Sequence, residues 1–238
     1  MIDICYILGR GSKFNNNEIR YSLRSIEKHL SNYRNVYIIG ELPEFIKDVI
    51  HIPMDDMQIC KETNIYAKVL RACKEDSISD DFLFFNDDHF LNADFDAEKF
   101  PNFYKCDLTV TIRKVRNMYR KPVLNTARLL SELKLTTLNF DIHTPIIYNK
   151  NKFVDVMTKY NWTVKHGYIV KSLYGNSIGI SDGVLIDKDY KLNGDYGYER
   201  FKELISKTKI WSIGDKALCD NLTVVLNELY PMPSKWEA

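Results

Sequence analysis

The chain has 238 residues, 45% hydrophobic and 27% charged, with Lys+Arg 33 against Asp+Glu 32 for a formal net charge of +1. This composition excludes a disordered chain and suits one large domain, or one domain with a helical annex. Proteins that grip nucleic-acid backbones carry a larger basic excess, so nucleic acid is disfavoured as a partner and only a local basic groove remains open.

In chain order, Ile2–Leu8 is an apolar run that predicts a buried strand rather than a signal peptide. It ends at the turn Gly9-Arg10-Gly11-Ser12. The stretch Glu18–Leu30 sets Ile19, Leu23, Ile26 and Leu30 on one helical face. Val36–Gly40 and Val49–Pro53 read as strands. Ile65–Cys73 reads as a helix with an apolar stripe through Ile65, Val69 and Leu70. Phe82–Phe85 has the look of a strand covered on both faces. Strands and helices alternating at this spacing imply right-handed crossovers and a mostly parallel sheet, whose ligands collect at the carboxyl ends of the strands. The loops to inspect are therefore Gly9–Asn17 and Asn86–His89. Further on, Leu108–Ile112 predicts a strand, and Leu124–Leu133, Lys152–Tyr160 and Tyr168–Tyr174 predict helices. Lys209–Ile213 predicts a late strand, and Leu218–Leu229 a last helix before Pro231 and Pro233. Five dispersed cysteines with no Cys-x-x-Cys spacing point to reduced thiols. No run of about 18 apolar residues offers a membrane span. The expectation is a cytoplasmic protein that meets any membrane-bound acceptor from the inner face.

The segment FLFFNDDHFL carries the most chemistry. Asp87 and Asp88 follow a buried strand, and hard cations such as Mg²⁺ or Mn²⁺ take carboxylate oxygens together with those of a bound diphosphate. The bland alternative is a solvated strand end. Arg20 and Arg24 lie one helical turn apart, and a guanidinium pair there fits phosphate oxygens; the alternative is a salt-bridged helix face. Asp215 reads as a metal ligand, a base, or the cap of the last helix.

At this point NNNEIRYSLRSIEKHLSNYRNVYIIGELPEFI, followed by FLFFNDDHFL, resembles the second signature block of the Stealth family. That family includes capsular polysaccharide phosphotransferases and the catalytic subunit of lysosomal-enzyme GlcNAc-1-phosphotransferase. Glu18 and Arg20 to Glu27 fall in register with it, as do Asn86, Asp87 and Asp88. Ile2-Asp3 with the Gly9–Ser12 turn looks like the opening block, Ile142-His143-Thr144-Pro145 like the third, and WSIGDKALCDNLTVVLNELYPMPSKWE like the fourth. The opening loop departs from the family form, and the third block's Arg-His-acidic run survives only as Lys165-His166 without its acidic partner.

The resemblance implies an α/β fold with a mostly parallel sheet, Rossmann-like and GT-A-like in its nucleotide-sugar-binding architecture, with a helical C-terminal part. One catalytic domain over 1–238 is expected, with 1–105 as the nucleotide-sugar-binding half and 106–238 as the acceptor side. The implied activity is metal-dependent transfer of a sugar-1-phosphate from a nucleotide-sugar, a UDP-sugar among the candidates, to a hydroxyl of a carbohydrate or glycan acceptor. The alternatives are glycosyl transfer with release of a nucleoside diphosphate, and an inactive nucleotide-sugar-binding module. In this reading Asp87 and Asp88 hold Mg²⁺ or Mn²⁺, with Asn86 beside them. His143 or Asp215 acts as base, and Arg20 and Arg24 clamp the diphosphate. Gly9, Arg10, Gly11, Ser12, Asp55, Asp56 and Asn64 line the donor pocket, and Lys165 and His166 bring positive charge to the transferred phosphate.

Overall fold

The computed structural model describes residues 1–238. Strand β1 (Ile2–Leu8) alternates its side chains between two cores. Ile4, Tyr6 and Leu8 enter one core, and Cys5 enters the other. Helix α1 (Asn17–His29) covers the first face through Ile19, Leu23 and Ile26. The chain returns as β2 (Tyr33–Gly40) and β3 (Ile50–Pro53), then forms α2 (Lys61–Cys73) on the opposite face through Tyr66, Val69 and Ala72. Strand β4 (Asp81–Asn86) splits its phenylalanines, with Phe82 and Phe84 on the α2 side and Phe85 on the α1 side. A central strand buried on both faces reads as an unbroken apolar run for this reason.

After the Asp87-Asp88 turn, β5 (His89–Leu91) leaves this sheet for another. Helices α3 (Leu108–Lys114) and α4 (Arg120–Glu132) follow, then β6 (Ile146–Asn149), α5 (Lys150–Lys159) and α6 (Val170–Ser177). The last part comprises β7 (Lys191–Leu192), α7 (Tyr198–Ser206), β8 (Ile210–Ile213) and α8 (Asp220–Leu229). The main sheet has the order β3-β2-β1-β4-β6, parallel except for the antiparallel edge strand β6. A second sheet, β7-β8-β5, packs Phe90, Trp211 and Ile213 against Phe201 of α7 and Leu222 of α8. No helix is long and apolar enough to cross a membrane.

The α/β fold with a mostly parallel sheet matches the expectation from the sequence. One element departs from it. Leu108–Ile112 is the body of α3 and not a strand. Its β-branched residues suit a strand, but the Asp107 carboxylate accepts a hydrogen bond from the Thr109 N–H at 2.7 Å and starts a helix in place of it.

Arg20 and Arg24 also depart from their expected role. Both turn toward the C-terminal tail. Arg24 donates through Nε and a terminal nitrogen to the two oxygens of Glu237, each at 2.7 Å, and to the Tyr230 carbonyl at 3.1 Å. Arg20 Nε stands 3.4 Å from Glu237, and its guanidinium lies 4.1 Å above the Phe45 ring. Glu237 is only 6% exposed and Arg24 10%, so these arginines fasten the tail beside Trp236, which is itself in the α1-side core. They do not line the cleft described below. Removing one partner of a buried, bidentate pair strands the other charge, at a cost of roughly 3 kcal/mol. Glu237→Ala is therefore expected to lower the denaturant midpoint by an amount of that order while leaving nucleotide-sugar affinity unchanged. Loss of affinity in a folded variant would return the arginines to the site.

Candidate donor and acceptor site

The carboxyl ends of β1 and β4 open onto a cleft of about 560 Å³. Gly9 begins its wall because Asp56 comes close: a Cβ at this position would stand 2.9 Å from an Asp56 carboxylate oxygen. Gly40, at the end of the neighbouring strand, has φ +123, and a Cβ there would meet the Leu8 carbonyl at 1.9 Å. Beneath both runs Lys68, 3% exposed, which donates to the Leu8 carbonyl at 2.7 Å and pairs with Asp56 at 2.6 Å. The α2 residues Lys61, Asn64 and Lys68, at i, i+3 and i+7, form a polar stripe facing this cleft. Lys61 is the first helical residue, where a positive charge opposes the helix macrodipole.

The acidic turn is set by α1 from behind. Ser22 Oγ donates to the His89 carbonyl at 2.6 Å, and Ser25 Oγ accepts from the Leu91 N–H at 3.1 Å, both in buried surroundings. The serines of RYSLRS thus hold β5, while its arginines hold the tail. Within the turn, burial together with the charges of Asp88 and Glu18 raises the Asp87 carboxyl well above the usual carboxylate range. Burial also raises Glu18, with Asp88 and Asp215 adding to the effect. Asp88 Oδ2 takes Lys191 Nζ at 3.2 Å, whereas Oδ1 is buried without a partner. His89 is driven well below its ordinary value by burial and by the cations Lys171 and Lys191, so it stands neutral behind the turn.

Crowded carboxylates with an unpartnered oxygen fit a divalent cation. No three His, Cys, Asp or Glu side chains converge to hold one. The chain would then supply the carboxylates of Asp87 and Asp88, with water and donor phosphate oxygens completing the shell, as Mg²⁺ accepts.

His143 lies across the cleft. Its Nδ1 is 2.9 Å from Asp189 Oδ2 and its Nε2 is 2.9 Å from Lys191 Nζ. Asp189, as a carboxylate, accepts from Nδ1–H, which leaves Nε2 as the acceptor; this tautomer follows from the hydrogen-bond network. Burial would raise the Asp189 carboxyl, but the His143 hydrogen bond with Lys105 and Lys171 offsets this and holds it below the usual range. The chain Asp189–His143–Lys191–Asp88 is thereby continuous.

His143, Lys191, Asn86, Lys61, Cys60 and Ile65 also line a second cleft, of about 790 Å³, which continues from the first past α3 and α6. The two volumes share these six residues, His143 among them.

The structure brings Gly9, Arg10, Gly11, Ser12, Asp56, Asn64, Asn86, Asp87, Asp88, His143 and Asp215 around the first cleft. Several of these side chains are engaged elsewhere. Ser12 Oγ accepts from Phe14 N–H and Asn16 N–H and donates to Glu18, so it fastens its own loop. Asn64 braces the backbone of Gln58 and Cys60. Arg10 pairs with Asp55 at 2.7 Å in the open, with 75% and 65% exposure, a contact worth at most about 1 kcal/mol. Asp55 lies outside the first cleft. Asp215 pairs with Lys13 at 2.8 Å, and that partner draws its carboxyl below the usual range, which suits a base poorly. It opens the short helical turn Asp215–Ala217, while Cys219 precedes the last helix. Lys165 lines neither cleft, and His166 lines only the second. The cations expected from that pair are supplied by Lys61 and Lys191. Lys61, Lys68, Asp189 and Lys191 were missed from the sequence. The misplaced charge at the start of α2 was a usable signal for Lys61. Nothing local marks Asp189 or Lys191, which lie in a polar stretch and meet His143 only in space.

No protein-family model and no curated protein matches the sequence. Solved structures of similar shape include LgtC, a galactosyltransferase in complex with donor and acceptor sugar analogues, at 10% identity and TM-score 0.49 over 98% of this chain and 97% of that one. The bifunctional glycosyltransferase WbbM in its apo form is similar at 12% identity and TM-score 0.49, over 90% of this chain and 45% of that one. Mouse xyloside xylosyltransferase 1 is similar at 9% identity and TM-score 0.46, over 92% and 99%. The chain thus spans less than half of WbbM, and likenesses at these scores assign it no activity.

The raised Asp87 carboxyl gives a prediction. A group that binds its proton more tightly when folded adds stability at low pH, and this stability is lost as pH rises through the raised value. In metal-free buffer Asp87→Asn is expected to raise Tm, more at about pH 8 than at about pH 5. Melting followed by circular dichroism checks this, and equal shifts at both pH values would show that the carboxylates are not crowded.

Proposed function

We propose that the chain transfers a sugar-1-phosphate unit from a nucleotide-sugar to a hydroxyl of a glycan acceptor, as the resemblance to the Stealth family implies. The observation that carries this reading is the contact chain Asp189–His143–Lys191–Asp88 at the junction of two clefts. It puts an oriented imidazole within two contacts of the acidic turn, where the phosphorus of a bound diphosphate would lie.

The donor diphosphate would occupy the first cleft, against Lys61, Lys191 and the start of α2, while Asp87 and Asp88 hold Mg²⁺ or Mn²⁺. The bound cation would neutralise the charge building on the leaving nucleotide phosphate. Lys191 now donates to His143 Nε2. A diphosphate oxygen in the cleft would draw the ammonium away and free Nε2 for the acceptor hydroxyl. His143 then takes the hydroxyl proton as the oxygen bonds to the β-phosphorus. The bond from that phosphorus to the bridging oxygen breaks, and a nucleoside monophosphate leaves. Asp189 holds the imidazolium that forms. Positioning and fixed charges carry most of the acceleration in such a transfer. Residues 1–105 would supply most of the donor cleft, with Lys191 and Gly214 reaching it from 106–238.

Incubation with a panel of nucleotide-sugars, Mg²⁺ or Mn²⁺ and acceptor extract, read by chromatography of the released nucleotide, tests this. The expected result is monophosphate release that disappears in Asp87→Ala and falls by roughly 10²- to 10⁴-fold in His143→Ala. Diphosphate release with the same dependence would make the reaction glycosyl transfer. Binding of a nucleotide-sugar without metal dependence or turnover would leave a binding module.

A further inference from the structure

We propose that the second cleft binds an acceptor glycan that is itself anionic, through phosphate or carboxylate groups held by a basic rim on α3 and the start of α4. The word acceptor rests on the transferase reading above; the binding of an anionic glycan does not.

Residues 105–121 carry Lys105, Arg113, Lys114, Arg116, Arg120 and Lys121 against one acid, Asp107. The Asp107 carboxylate is committed to Thr109 and Thr137 within the fold. None of the six cations has a carboxylate oxygen within 4.0 Å, although twelve carboxylate pairs with Lys, Arg or the N-terminus form elsewhere in the chain. Arg116 and Arg120 rest on the backbone carbonyls of Arg113 and Ile112 instead. In a protein of net charge +1, so dense a group of like charges repels itself, and no carboxylate of the fold neutralises it.

The patch adjoins a concave site. Lys105, Lys114 and Asn117 line the second cleft, with Lys61, Lys171 and Lys191 deeper in. Two of the cleft's acids are occupied: Asp141 accepts from Tyr119 Oη, and Asp189 from His143. A glycan whose reacting hydroxyl reaches His143 would pass Lys105 and Lys114 on its way out, with Glu62 on the lining and the arginines of 105–121 outside it. A cleft of about 790 Å³ is in the range of ligand sites.

Other polyanions fit less well. Single-stranded nucleic acid needs aromatic platforms, but the one aromatic ring in 105–121, Tyr119, is tied by its hydroxyl to Asp141. A membrane surface needs an apolar face beside the charges, and Met118 is the sole large apolar side chain exposed on the rim.

The test is titration of the full chain with a galacturonate pentamer and a short glycerol-phosphate oligomer, against maltopentaose and vesicles of about 30% anionic lipid. A triple variant, Arg113→Gln/Lys114→Gln/Lys121→Gln, removes three exposed charges whose side chains make no hydrogen bond in the fold. The expected result is binding of at least one anionic oligomer but not of maltopentaose. The triple variant should bind that oligomer at least about tenfold more weakly with a shallower salt dependence, at unchanged nucleotide-sugar affinity. The charge-keeping variant Arg113→Lys/Lys114→Arg/Lys121→Arg should restore it. Binding of neither anionic oligomer, equal binding of maltopentaose, or wild-type affinity in the triple variant would overturn the proposal, as would capture by vesicles alone. Failure of the transferase reading appears elsewhere, as the absence of nucleotide-sugar binding or turnover, and leaves the oligomer titration to stand on its own result.

Discussion

Burial of β4 on both faces is the constraint from which the site follows. Phe82 and Phe84 lie in one core, and Leu83 and Phe85 in the other, on opposite sides of the sheet. The strand therefore cannot shift register without forcing every one of these side chains into the wrong core. Two adjacent carboxylates can then emerge only at the carboxyl edge of the sheet. The next three residues enter a different sheet, where Phe90 packs on Trp211 with ring centroids 4.5 Å apart. The acidic turn is held at both ends by aromatic burial and from behind by Ser22 and Ser25.

This rigidity lets the turn carry a charge arrangement that folding alone disfavours. Asp87, Asp88 and Glu18 raise one another's proton affinity, and the protein answers with Lys191 at Asp88, the charge of Lys61 near Asp87 and the Ser12 hydroxyl at Glu18. Lys68 is consumed by the Leu8 carbonyl and Asp56 and shapes the wall, whereas Lys191 bridges Asp88 and His143 and Lys61 lines the cleft. Acids and cations thus stand side by side along the cleft.

The motif in α1 shows how one short segment divides its labour. Ser22 and Ser25 face the acidic hairpin, Tyr21 reaches Asn227 of α8 at 2.8 Å, and Arg20 and Arg24 face the tail. A helix presents every side in turn, so adjacent residues of one motif serve three neighbours. The expectation that Arg20 and Arg24 clamp a diphosphate rested on a shared face that they do have, but it is turned to Glu237.

Much of the frame was legible in the sequence. The apolar runs of β1, β2 and β4 and the periodicity of α1 and α8 depend on which residues are buried, and local order records this directly. The acidic turn followed, because a carboxylate pair after a buried strand has one place to go. Tertiary structure alone decided the rest. It turned the Arg20–Arg24 pair toward the tail, whereas the helix at Leu108–Ile112 turned on a local cap, Asp107, that outweighed β-propensity. It also joined His143 to Asp189 and Lys191 across 46 and 48 positions. Such meetings depend on how sheets and helices stack, and no spacing along the chain encodes them.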